Sequence, residues 1–135
     1  MEELLMRPAV PRRLFLAALF LTFALGCGGR DSPRPDADLA GRLAAAKGIR
    51  DVNEKDKALS RLARDAADAG DGAIADQSLA EMRDVNERDQ AAYSAALRLA
   101  KAGKAEAAAA TAKVIRDVNL KDKTLAKIAK GDTSE

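Results

Sequence analysis

The chain has no histidine and no tryptophan, a single cysteine, and only one aromatic residue, Tyr93, after position 27. Without histidine, the usual general base and the commonest nitrogen ligand for metals are both missing. With one aromatic there is no series of rings on which nucleic-acid bases could stack. Charge gives no help to a nucleic-acid reading either. Setting aside the three arginines and two glutamates of the first 26 residues leaves 20 basic and 19 acidic residues, with no basic excess to attract phosphates. The many carboxylates alternate with lysine and arginine on faces expected to be solvated, so no catalytic pair stands out. The expectation is a protein that is not an enzyme, takes no cofactor or metal, and does not bind nucleic acid.

What the chain does have is a repeated phrase. Ile49-Arg-Asp-Val-Asn-Glu-Lys-Asp, Met82-Arg-Asp-Val-Asn-Glu-Arg-Asp and Ile115-Arg-Asp-Val-Asn-Leu-Lys-Asp start 33 residues apart. Residues 49–81 align on 82–114 without a gap and agree at 12 of 33 positions; 115–130 agrees with 49–64 at 10 of 16. Some identities are alanines in an alanine-rich chain, but a shared Arg-Asp-Val-Asn followed by Asp is not a composition effect. A fixed period of this size marks stacked units, each lacking a core until its neighbour supplies one.

Each unit reads as two helices. Ala58, Leu59, Leu62, Ala63 and Ala66 form one apolar stripe at helical spacing, and Ile74, Ala75, Ser78, Leu79 and Met82 form another. Gly70 separates them, where a left-handed residue ends a helix well. The next unit copies the plan with Ala91, Ala92, Ala95, Ala96 and Leu99, then Gly103, then Ala107, Ala108, Thr111, Ala112 and Ile115. A helix from about Leu39 to Arg50 and another over 120–130, closed by Gly131, complete six. Arg61 with Asp65 and Arg64 with Asp68 are spaced as i,i+4 ion pairs on the polar side.

The phrase itself admits three readings. In the first, Asn53, Asn86 and Asn119 cap the helices that follow, with Asp56, Asp89 and Asp122 in their first turns at the positive end of the helix dipole. Val52, Val85 and Val118 would then pack at the corners between helices, and Ile49, Met82 and Ile115 would close the core of the preceding helix. In the second, Arg50, Arg83 and Arg116 line up as an interaction ladder. In the third, Asp51, Asn53 and Asp56 hold a cation, but Lys55, Arg88 and Lys121 stand where a calcium loop needs an oxygen. A repeat repeats its structural residues first, which favours capping.

The N-terminus reads as an address. Arg7, Arg12 and Arg13 precede the twelve residues Leu14 to Leu25, in which only Thr22 is polar and all three phenylalanines lie. A membrane span needs about 20 apolar residues, so this stretch suits a signal core. Ala24-Leu25-Gly26-Cys27 resembles the lipobox of bacterial lipoproteins. That resemblance implies cleavage before Cys27, lipidation of its sulfur (palmitate among the acyl chains) and lasting attachment to a membrane. Gly28, in place of aspartate, favours the outer membrane by the same resemblance. The expected organisation is a signal peptide over 1–26, a lipid-attached linker over 27–38 containing Pro33 and Pro35, a helical repeat domain over 39–131, and a tail over 132–135.

Paired helices, a period near 33, small residues at helix contacts and a glycine in the inner turn resemble the tetratricopeptide class. The resemblance implies a short right-handed α-solenoid that binds a protein or peptide along a helical surface; an antiparallel helical bundle is the competing fold, and the fixed period weighs against it. Tryptophan and the corner proline of that class are replaced here, the latter by Val-Asn. Two functions follow: a membrane-tethered module for protein–protein interaction in a bacterial envelope, or a structural envelope lipoprotein that self-associates into a homo-oligomer through its solenoid ends.

Overall fold

In the computed structural model, residues 38–134 are described; Cys27, the signal segment and most of the linker lie outside them. Those residues form an all-α domain of six helices: α1 Leu39–Lys47, α2 Val52–Asp68, α3 Gly72–Ala80, α4 Val85–Lys101, α5 Ala105–Ala112 and α6 Val118–Lys130. Long helices (α2, α4, α6) alternate with short ones (α1, α3, α5).

The turn after each long helix is set by glycine. Gly70, Gly103 and Gly131 have φ of 77°, 76° and 71°, a region that side-chain-bearing residues rarely adopt. Around Gly70, the amide of Asp71 donates to Ala66 O at 2.8 Å and the amide of Gly70 to Ala67 O at 3.0 Å. Lys104 to Leu99 and Gly103 to Ala100 repeat this pair, as do Asp132 to Lys127 and Gly131 to Ile128. All three are Schellman motifs, which satisfy the last helical carbonyls while reversing the chain.

Alanine then lets the helices approach closely. Ala63, Ala66, Ala67, Ala75, Ala92, Ala95, Ala96, Ala108 and Ala112 are fully buried. Larger side chains fill the remaining space: Leu59, Leu62, Leu79, Leu97, Leu99 and Ile115 have almost no exposure. Gly72 marks one close approach, since a Cβ built there would stand 2.9 Å from the Cβ of Ala107 in α5. The two expected stripes on α2 and α3 face inward as read, with Ala58 and Ile74 only half-buried at their margins. Met82 and Ile115 close the core, while Ile49 is half-exposed.

Other expectations need correction. The helices after the phrase are capped by Asp51, Asp84 and Asp117, whose carboxylates accept from the amides of Glu54, Glu87 and Leu120 at 2.9, 2.8 and 2.8 Å. Asn53, Asn86 and Asn119 already lie inside the first turn. Val52, Val85 and Val118 are the first helical residues and are exposed rather than packed at corners. Asp65 and Asp68 do not pair within α2. Asp65 pairs with Arg42 of α1 and Asp68 with Arg98 of α4, because both carboxylates lie toward neighbouring helices; Arg64 instead donates to Ser60. These ion pairs are half-exposed and contribute about 0–1 kcal/mol each.

Candidate interaction site

The phrase's later aspartate, not its asparagine, ties one copy to the next. Asp56 is buried in α2, and its Oδ2 accepts from the backbone amides of Arg83 at 3.1 Å and Asp84 at 2.8 Å. Asp89 does the same in α4: its Oδ2 accepts from the amides of Arg116 at 3.0 Å and Asp117 at 2.9 Å. The donors are the last residues before α4 and α6, so each buried carboxylate sits at the positive end of the next long helix. Asp84 and Asp117 then use their own carboxylates to cap those helices. A buried charge is tolerated where hydrogen bonds replace its water, and two amides do so at one oxygen of each carboxylate, while Oδ1 of Asp89 is buried without a hydrogen bond, 3.6 Å from the Arg88 guanidinium.

Asp122, the third copy, has no such role. It is exposed and, among the described residues, makes no hydrogen bond or ion pair. At the other end, the amides of Arg50 and Asp51 have no acceptor among the described residues. One clamp therefore lacks its donors, and one donor pair lacks its clamp.

The apolar faces are likewise less covered among the described residues. A groove of about 410 Å³ is lined by Ala45, Ala46, Ile49, Ala58 and Leu62, with Arg61 at its rim. The residues 33 positions further along (Ser78, Leu79, Met82, Ala91 and Ala95) are all buried. On α6, Asp122, Leu125 and Ala129 share one face and are exposed, half-buried and exposed; their counterparts Asp56, Leu59 and Ala63 in α2, and Asp89, Ala92 and Ala96 in α4, are buried.

The remaining charges are dispersed. Arg50, Arg83 and Arg116 stand on alternate turns, before α2, α4 and α6, exposed, and their guanidinium groups make no hydrogen bond or ion pair among the described residues. The structure thus leaves all three free for a partner, although the backbone amides of Arg83 and Arg116 are already used. The cation reading of Asp51, Asn53 and Asp56 loses its carboxylates to separate amides, and no metal-capable group of three His, Cys, Asp or Glu occurs among the described residues. Glu81, at the end of α3, bridges Lys47 and Lys55 at 3.3 and 3.5 Å. The hydrogen bond and charge of Lys47, with a lesser pull from Lys55, hold its carboxyl below the ordinary 4.5. Val114 stands where that glutamate would recur, so Arg88 has only Asp89 at 3.6 Å, and its Nε and Nη2 are buried without hydrogen-bond partners.

Sequence reasoning missed the clamp because each carboxylate's donors lie 27 and 28 residues away, in another copy. The available signal was the aspartate's recurrence beside apolar stripe positions, at Asp56 with Leu59 and Asp89 with Ala92. No helix among the described residues is long and apolar enough to cross a membrane. Cys27 lies outside the described residues. Set against family models, curated proteins and solved structures, the chain matches none of them.

Proposed function

We propose that the chain is a membrane-tethered module for protein–protein interaction in a bacterial envelope, built as a short right-handed α-solenoid of period 33. The observation that carries the reading is the groove over half-buried Ile49 and Ala58, floored by buried Leu62 and left open among the described residues, while the positions corresponding to Ile49 and Ala58 in the next copy are buried against a neighbour. A surface that two internal copies cover, and a third leaves open, suits a protein partner. The recurrence of the aspartate clamp and of the glycine turn 33 residues on supports the stacked arrangement.

No catalytic role is part of this reading. The two carboxylates buried among the described residues, Asp56 and Asp89, are engaged by backbone amides. Export and attachment rest on the basic start, the apolar core and the lipobox-like run ending in Cys27. The free arginines at 50, 83 and 116 would add a polar strip for a partner's carboxylates.

Two arms test the proposal in a bacterial host. Wild-type chain should take up labelled acyl chains and partition with membranes, and Cys27→Ala should lose the label. Unchanged labelling would refute the tether. A photo-crosslinking residue at Ala58 should give a protein adduct, whereas one at exposed Lys57 should give far less. Equal or absent adducts would refute the interaction surface.

A further inference from the structure

We infer that the groove's partner is a second copy of this chain, docked head to tail, with Asp122 of one copy accepting from the amides of Arg50 and Asp51 of the next. This rests on the stacked-repeat reading above and names its partner. The same contact already exists twice within the chain. Asp56 holds the amides of Arg83 and Asp84, and Asp89 holds those of Arg116 and Asp117. Asp122 offers the same carboxylate at the same place in the phrase, and Ile49-Arg50-Asp51 offers the same amides. Each half is bonded to nothing among the described residues.

The apolar surfaces around these two halves agree with them. Leu125 and Ala129 lie on the α6 face that carries Asp122, in the positions by which Leu59 and Ala63 of α2 are buried. The receiving groove presents Ile49, Ala58 and Leu62, in the positions by which Met82, Ala91 and Ala95 are buried. The junction would continue an interface that the chain builds internally. It would not be a strict copy, because Arg42 and Arg61 replace Ala75 and Ser94 beside the groove. That difference brings no charge complementarity of its own, since Arg42 already pairs with Asp65 of its own chain and α6 carries Lys121, Lys123, Lys127 and Lys130 beside Asp122.

Such a contact joins two different surfaces. It is heterologous, so it grows into a filament or closes into a ring according to the rotation between copies. Copies held on one membrane would meet at high local concentration, which favours a contact too weak to persist in dilute solution.

The test uses the full chain in detergent micelles, followed by sedimentation from micromolar to millimolar concentration. Wild type should associate with concentration. Asp122→Ala should weaken association about ten- to hundredfold, the range expected for losing a hydrogen bond to a charged group, and Ala58→Glu should weaken it at least as much by filling the groove with a bulky charged side chain. Mixing the two variants should restore dimers and nothing larger, because Asp122→Ala keeps its groove and Ala58→Glu keeps its aspartate. A symmetric contact, or association driven by the lipid or signal segment, would show no such complementation and would overturn the proposal. A wild type that stays monomeric throughout, or an Ala58 crosslink to another protein or to the linker of the same chain, would overturn it as well. Both variants must keep wild-type helicity and slow exchange of the Asp84 amide. If they do, a negative result counts against head-to-tail docking and leaves the stacked repeat standing. Fast exchange at Asp84 in wild type would instead count against the repeat reading itself.

Discussion

Replacing each of the three repeated aspartates by alanine should have two different outcomes despite one shared motif. In Asp56→Ala, the amides of Arg83 and Asp84 lose a buried ionic acceptor at 3.1 and 2.8 Å. A hydrogen bond to a charged group contributes about 1.5–3 kcal/mol. Arg83 and Asp84 are themselves exposed, so water recovers part of each bond, and removing a buried carboxylate relieves some desolvation. The expected net loss is about 2–4 kcal/mol, out of roughly 5–15 kcal/mol for a domain. For a domain of this size that lowers Tm by on the order of 10–25 °C. Asp89→Ala should behave alike, since its carboxylate has the same two donors. Asp122→Ala should stay within about 0.5 kcal/mol of wild type at a concentration where copies do not associate. Asp56→Asn keeps one acceptor oxygen and should lose about 1 kcal/mol. The assay is thermal and urea unfolding of the full chain in detergent, read by far-UV circular dichroism. Equal losses at 56, 89 and 122 would refute the clamp and return these residues to generic helix-start acids.

Other expectations follow from packing and charge. Leu79→Ala should cost about 3–5 kcal/mol and Leu62→Ala about 2–3, since Leu62 borders an open groove that softens the cavity, whereas Arg64→Ala should change Tm little; the reverse order would place the core wrongly. Gly72→Ala should destabilise by about 1–2 kcal/mol, because its Cβ would meet the Ala107 Cβ at 2.9 Å and outweigh the gain in helix propensity; an unchanged or raised Tm would contradict that approach. Glu81, whose carboxyl is held below 4.5, contributes stability above that pH and loses it as pH falls through its folded value. Glu81→Gln should therefore melt below wild type at neutral pH, with the gap closing in acid; a gap independent of pH would refute the bridge to Lys47 and Lys55.

Much of the fold could be read from side-chain spacing, because helical stripes and left-handed glycines act locally. Ala92, Ala95, Ala96 and Leu99 recur at helical period, and their burial needs no knowledge of which helix covers them. Gly70 and Gly103 likewise declare a turn whatever follows. The start of the long helices was misread because two capping frames compete in one phrase. Asn53 and Asp56 stand three apart, but so do Asp51 and Glu54, and Leu120 breaks the second frame in the last copy while Asp122 preserves the first. Asparagine and aspartate cap almost equally well, so residue type could not decide between them. Geometry decides: Asp51, Asp84 and Asp117 reach the third residue's amide, and that leaves the later aspartates for the neighbouring copy. The groove and the free clamp were not legible, since both are defined by which copies of a position stay uncovered. Arg42 with Asp65 and Asp68 with Arg98 escaped for the same reason, as their pairings cross between helices.

The central claim is that a buried aspartate in one copy holds the turn of the next, and amide hydrogen exchange tests it most directly. Turn amides ordinarily exchange fast, and slow exchange requires a protected hydrogen bond. At a concentration where copies do not associate, the amides of Asp84 and Asp117 should exchange slowly, while that of Asp51, in the same phrase, should exchange quickly. Asp56→Ala should release Asp84 alone and Asp89→Ala should release Asp117 alone. Uniform fast exchange at all three aspartates, or uniform protection that survives both substitutions, would contradict the account.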